Sequence, residues 1–160
     1  MCWAADVARG LCHLHAHRIL HRDCKSHNIL LDQYGGRLRA KLCDFGSVKV
    51  LEATPKERFT ETGTSGYVAP EVLGAVEGVE GYSFEADVFS LGIVLWEIVA
   101  IDHKAHPLVG LPPVRYCRQL EQGTRPPLPK HPAICPPEYA KIVNQCWSFH
   151  PKDRPTAKQV

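Results

Sequence analysis

The chain has no uninterrupted apolar stretch near the ~20 residues that a membrane-crossing helix needs. Its longest candidate, LGIVLWEIVAI at 91–101, is broken by Glu97. Net charge is nearly absent too: 19 Lys and Arg against 17 Asp and Glu leave +2, too little to imply a nucleic acid or an anionic membrane as partner. Met1 leads into Cys2, Trp3 and Ala4 with neither a basic start nor a cleavage-like site, so no secretory leader is expected. The seven cysteines are irregularly spaced and contain no Cys-x-x-Cys pair. That pattern excludes a zinc finger and points to reduced thiols in a cytoplasmic setting. Internal repeats and low-complexity tracts are missing as well.

What is present suffices for one core, since 160 residues at 44% hydrophobic can bury a sizeable interior. Trp3, Val7, Leu11 and Leu14 recur at helical spacing and predict an amphipathic helix from the start to about residue 16. RIL (18–20), NILLD (28–32) and AKLCD (40–44) read as short strands, the last two joined by a turn containing YGG (34–36). The polar stretch 48–66 predicts an exposed loop. DVFSLGIVLWEIVA (87–100) is apolar nearly all round, which marks a buried central helix. Short helices follow near 114–122 and around Tyr139, Ile142, Val143 and Cys146, and the chain is expected to end inside another. Short strands among many helices make a mostly helical α+β domain.

One stretch, CHLHAHRILHRDCKSHN (12–28), packs five histidines and two cysteines into seventeen residues. Zinc would need about four converging nitrogen or sulfur ligands. His13, His15 and His17 are spaced by two, which sends neighbours to opposite sides of a helix, although His13 and His17 could share one. Spacing therefore argues against a metal site, and the three read as partly exposed helix-end residues facing the negative end of the dipole.

His21 differs because it opens a longer pattern. His21, Arg22 and Asp23 lead to Lys25 and Asn28; sixteen residues after Asn28 come Asp44, Phe45 and Gly46, and then Ala69, Pro70 and Glu71. This resembles the protein kinase family: HRDCKSHN is similar to its catalytic loop, DFG to its metal-binding motif and APE to the end of its activation segment. Any triplet alone is a weak signal, but eleven fixed letters in order, each with roughly a one-in-twenty chance, make coincidence negligible. GTSGYVAPE (63–71), DVFSLG (87–92) and CWSFHPKDRP (146–155) also resemble kinase segments, and the likeness covers nearly the whole chain.

The resemblance implies a set of roles. Asp23 would orient the substrate hydroxyl and accept its proton, with Lys25 beside the transferring phosphate. Asn28 and Asp44 would hold two Mg²⁺ ions, which prefer hard oxygen ligands. Leu30, with Ile29 and Leu31, would lie beneath the adenine of ATP. His21 and Phe45 would stack in a hydrophobic spine, Asp87 would sit on the central helix, and Glu71 would pair with Arg154. Thr60 would be the activating phosphorylation site read by Arg22, with Thr62 and Thr54 as rivals, while Thr64 would contact Asp23 and Lys25. Cys43, before Asp44, reads as a small buried strand residue or as a thiol facing the nucleotide.

Lys25 and Thr64 match the serine/threonine-specific pattern, and GTRPPLP (123–129) resembles the tyrosine-kinase-like branch, although 101–109 lacks its usual Pro-aromatic pair. Two kinase features are missing: a Gly-x-Gly-x-x-Gly loop and a Val-Ala-x-Lys strand. Residues 1–160 therefore read as a partial catalytic domain, the C-terminal lobe with the N-terminal lobe absent, expected to be a truncated fragment. The competing reading is a non-catalytic docking or regulatory module. Intact Asp23, Lys25, Asn28 and Asp44 favour the enzyme, since a docking module has no chemical need for all four.

Overall fold

The computed structural model describes residues 2–51, 65–79, 82–100, 102 and 106–160. Four helices carry the core: α1 (Cys2–Ala16), α2 (Phe84–Val99), α3 (Pro113–Glu121) and α4 (Pro137–Cys146). Four short strands form two antiparallel pairs, β1 (Ile19–Leu20) with β4 (Lys49–Val50) and β2 (Ile29–Tyr34) with β3 (Arg37–Leu42). The architecture is the mostly helical α+β arrangement expected.

Helix α2 is central because its sequence leaves no polar face. Ala86, Val88, Phe89, Leu91, Ile93, Val94, Leu95 and Trp96 are all buried. Helices α3 and α4 each open with proline at the first helical position, where the missing N–H costs nothing and φ is already set. Tyr139 on α4 donates its hydroxyl to the Leu95 carbonyl at 2.7 Å, and Tyr116 on α3 donates to the Val68 carbonyl at 2.8 Å.

The crossing of α2 and α4 depends on Gly92. A Cβ there would lie 2.8 Å from Cys146 Cβ and 3.2 Å from the Trp147 amide nitrogen, neither of which is a flexible side-chain end. Alanine at 92 gains about 1 kcal/mol of helix propensity but overpacks the contact, which typically costs about 1–3 kcal/mol. Gly92→Ala is expected to lower the thermal midpoint; an unchanged melt would mean that the helices can part freely.

Several expectations change in detail. The buried stripe of α1 is Ala4, Val7, Ala8 and Leu11, whereas Trp3 is half-exposed. Strand β3 starts at Arg37 rather than Ala40, because Gly35 and Gly36, at φ 57° and 77°, make a two-residue turn and leave Tyr34 paired with Arg37. Strand β4 lies inside the stretch read as loop; its two residues carry no periodicity and exist through pairing with β1. Residues 156–160 form a turn, not a helix. Cys43 is half-buried and lies just past β3, so it is not a buried strand residue.

Candidate active site

The two strand pairs bring distant residues together. Pairing of Ile29 with Leu42 sets Asn28 beside Cys43, whose amide donates to the Asn28 carbonyl at 2.9 Å. Asn28 and Asp44 thus emerge from the same end of one hairpin. Pairing of Leu20 with Lys49 likewise brings His21 and Arg22 next to the turn Phe45–Ser47, and Arg22 Nε donates to the Ser47 carbonyl at 2.6 Å.

Asp23 is the centre of the cluster. Its Oδ2 accepts from Lys25 Nζ at 2.7 Å and from Asn28 Nδ2 at 2.9 Å, while its backbone carbonyl accepts from the same Nδ2 at 2.9 Å. These contacts hold the carboxylate in one orientation. With Nδ2 engaged, the Asn28 Oδ1 is turned away from Asp23 and remains an acceptor. Asp44 is exposed, adopts φ 61°, and accepts from the Gly46 amide at 3.2 Å through Oδ1. The available donors are therefore a carboxylate and an amide oxygen, hard ligands that suit Mg²⁺ and not a soft metal. Among the described residues no group of three or more His, Cys, Asp or Glu could hold a metal ion. His13 and His17 are exposed, with rings 4.5 Å apart.

Asp87 fixes the loop from below. It is fully buried near the start of α2, and its Oδ2 and Oδ1 accept the backbone amides of His21 and Arg22, each at 2.8 Å. The second of these holds Arg22 at φ 65°, a backbone region that side-chain-bearing residues rarely adopt. His21 is fully buried; its Nε2 lies 3.2 Å from the Cys43 carbonyl and its ring 5.8 Å from that of Phe45, tilted by 56°. Phe45 itself is 53% exposed, so on this surface the pair is an edge contact and not an enclosed stack.

A period-two strand gives Leu30 one face and Ile29 and Leu31 the other, so the three cannot line a single ring together. Leu30 and Leu31 are exposed, whereas Ile29 is half-buried against the core. Glu71 and Arg154 meet as a bidentate pair with both side chains fully buried, at 2.5 and 2.8 Å. Thr54, Thr60, Thr62 and Thr64 lie outside the described residues.

Sequence reading missed three contributors. His15, taken for a helix-end residue near solvent, has its Nε2 3.0 Å from Asp87 Oδ2 and its ring 4.6 Å from that of Phe84. The signal was its place four residues after Leu11 on the buried stripe. Tyr67 donates to Glu97 Oε1 at 2.5 Å and lies 3.1 Å from Ser26 Oγ, linking the segment before Ala69 to the loop after Lys25. Burial, reinforced by the bond to Glu97, raises the Tyr67 phenol well above its ordinary pKa, so it stays a donor. No local pattern marks Tyr67 or Glu97, since their contact spans thirty residues.

The pattern that defines the protein kinase domain matches residues 2–160. The chain belongs to the protein kinase family. It is 39% identical over 157 residues to drkD, a probable serine/threonine-protein kinase of Dictyostelium discoideum, covering 97% of this chain and 11% of that one. It is 37% identical over 158 residues to the serine/threonine/tyrosine-protein kinase HT1 of Arabidopsis thaliana, covering 98% of this chain and 37% of that one. A probable LIM domain-containing serine/threonine-protein kinase of Dictyostelium discoideum is 35% identical over 157 residues, covering 98% and 22%. The chain therefore spans roughly a tenth to a little over a third of these kinases. Kinases of this family use ATP and Mg²⁺. Among the described residues no helix is long and apolar enough to cross a membrane.

Proposed function

We propose that residues 1–160 form the C-terminal lobe of a protein serine/threonine kinase catalytic domain, which transfers the γ-phosphate of ATP to Ser and Thr hydroxyls of proteins. The observation that carries this reading is the convergence of Lys25 and Asn28 on one carboxylate oxygen of Asp23, beside the turn that begins at Asp44. Transfer of a phosphoryl group asks a protein chiefly for positioning and charge neutralisation. Asp23 orients the acceptor hydroxyl and takes its proton; Lys25 offers its ammonium to the phosphate oxygens. Asn28 Oδ1 and Asp44 would hold Mg²⁺, which supplies charge neutralisation on the phosphates when bound. Leu30, on the exposed face of β2, would meet the adenine. A docking module would not require Lys25 and Asn28 to share an Asp23 oxygen. The free thiols of Cys12, Cys24, Cys43, Cys117, Cys135 and Cys146 support a cytoplasmic setting.

This lobe is proposed to work under an N-terminal lobe. Leu30 on one face of the β2–β3 hairpin, Leu31 and Leu38 on the other, and Phe45 are each half or more exposed, apolar area that further protein could cover. The 160-residue chain alone is therefore expected to show no ATP turnover, and the chain joined to a glycine-rich lobe with its strand lysine to phosphorylate Ser and Thr peptides. Robust transfer by the isolated chain would overturn the two-lobe requirement, and transfer mainly to Tyr the serine/threonine assignment.

Thr60 is proposed as the activating phosphorylation site. Among the described residues the Arg22 side chain makes one hydrogen bond, from Nε to Ser47, and its other N–H donors have no partner among them. A phosphate of about −1.5 to −2 charge could accept one to three charge-assisted bonds there. In the complete domain, Thr60→Ala is expected to lose most of its activity after incubation with ATP. Full activity in Thr60→Ala with loss in Thr62→Ala would move the switch to Thr62.

A further inference from the structure

Helix α1 ends in a pair of histidines that phosphoryl transfer does not use. His15 turns inward to Asp87, which leaves His13 and His17, four residues apart, on the exposed side. Their rings are 4.5 Å apart, and among the described residues no other two histidine rings are in contact with each other. His17 Nδ1 lies 2.9 Å from the His13 carbonyl. A carbonyl only accepts, so Nδ1 carries the proton and Nε2 keeps its lone pair. Fixing a ring through the nitrogen that does not bind is how proteins usually orient a metal-ligating histidine. The His13 side chain makes no hydrogen bond or ion pair among the described residues, so its ring nitrogens are uncommitted.

Size and charge at this spot both suit a cation. Two imidazoles side by side on one ion, each bound at about 2.0–2.1 Å, have ring centroids roughly 4.5–5 Å apart. The observed separation lies at the edge of that range. The last carbonyls of a helix carry partial negative charge, which favours a cation at this end. Neighbouring cations are drawn off: Arg9, four residues before His13, is held by Asp6, and Arg18 donates from Nε to the Leu51 carbonyl at 3.2 Å.

We propose that His13 and His17 chelate one divalent transition-metal ion of the nickel, copper and zinc group. Nε2 of His17 and a ring nitrogen of His13 bind the ion, and water completes its coordination. Imidazole nitrogen suits these ions, whereas the oxygens of Asn28 and Asp44 suit Mg²⁺, so the two places take different metals. With only two protein ligands this is an open surface site, unlike a structural zinc centre with four. The bound ion ties the last turn of α1 to the turn that leads into β1 and on to the His21–Asp23 loop. Nothing in this inference depends on the kinase reading.

The test is calorimetric titration of Ni²⁺ into the catalytic domain containing this chain, with excess Mg²⁺ present to occupy the oxygen ligands. One Ni²⁺ per chain is expected to bind in a step that needs both histidines. His13→Gln and His17→Gln should each weaken that step at least about tenfold, and the double variant should be scarcely weaker than either single one, because a chelate is lost with its first ligand. His131→Gln, at another exposed histidine, should leave the step unchanged. All these positions are on the surface, and a thermal melt checks that each variant is folded. Variants at 13 and 17 that bind Ni²⁺ as the parent does would overturn the site. Losses that add in the double variant would do so too, since they would mean two separate weak ligands. Ca²⁺ in place of Ni²⁺ is expected to give no such step, and an equal Ca²⁺ step would refute ligation by imidazole.

Discussion

Asp23→Asn in the complete catalytic domain is expected to lower phosphoryl transfer by about 10² to 10⁴-fold, the usual worth of a positioned general base. The substitution keeps the shape of the side chain and one carbonyl oxygen, so an acceptor for Lys25 and Asn28 remains. What it removes is the charge and the basicity. The thermal midpoint should therefore stay close to that of the parent, and KM for ATP should change little compared with kcat. Steady-state kinetics on a Ser/Thr peptide, with a melt alongside, decide the matter. A variant that folds normally and turns over at the parent rate would remove Asp23 from the chemistry.

Arg154→Ala should produce the largest loss of stability in the molecule. All five N–H groups of this guanidinium are engaged: two on Glu71, and the others on the carbonyls of Ser148, Glu85 and Phe149. Its carbon also lies 5.0 Å from the Phe89 ring centroid. Deleting one member of a buried pair typically costs about 3–5 kcal/mol, because the other charge is stranded without water. For a domain near this size that corresponds to a fall of roughly 6–20 °C in thermal midpoint. Glu71→Leu with Arg154→Met should lose much less than the two single losses added together, since neither charge is left alone. Additive losses in that cycle, or an Arg154→Ala variant as stable as the parent, would show that the pair does not tie the segment after residue 65 to the late helices.

Much of the fold was legible because its signals are local. Helix α2 announces itself through a stretch that is apolar nearly all round, the β2–β3 hairpin through its glycine turn, and α4 through Tyr139, Ile142, Val143 and Cys146 at helical spacing. Strand β4 was not legible, because two residues have no period and owe their conformation to a partner thirty positions away. His15 shows the opposite failure. Its burial could be read from its distance to Leu11, but crowding by neighbouring histidines suggested an exposed cluster instead.

The candidate site divides along the same line. The sequence by itself nominated Asp23, Lys25, Asn28 and Asp44 for the proposed phosphoryl transfer, because their order and spacing resemble the kinase motifs too closely for chance. Tertiary structure alone decided how they are held: Asp87 on α2 takes the His21 and Arg22 amides, and Tyr67 bridges Glu97 and Ser26. It also decided that Val114 faces an open groove while Tyr116, two residues on, is buried. The physical reason is range. Side-chain chemistry is carried by residue identity, which a sequence displays directly. The hydrogen bonds that anchor the loop carrying those side chains join residues 30 to 66 positions apart, and they exist only once the hydrophobic core has brought their elements together.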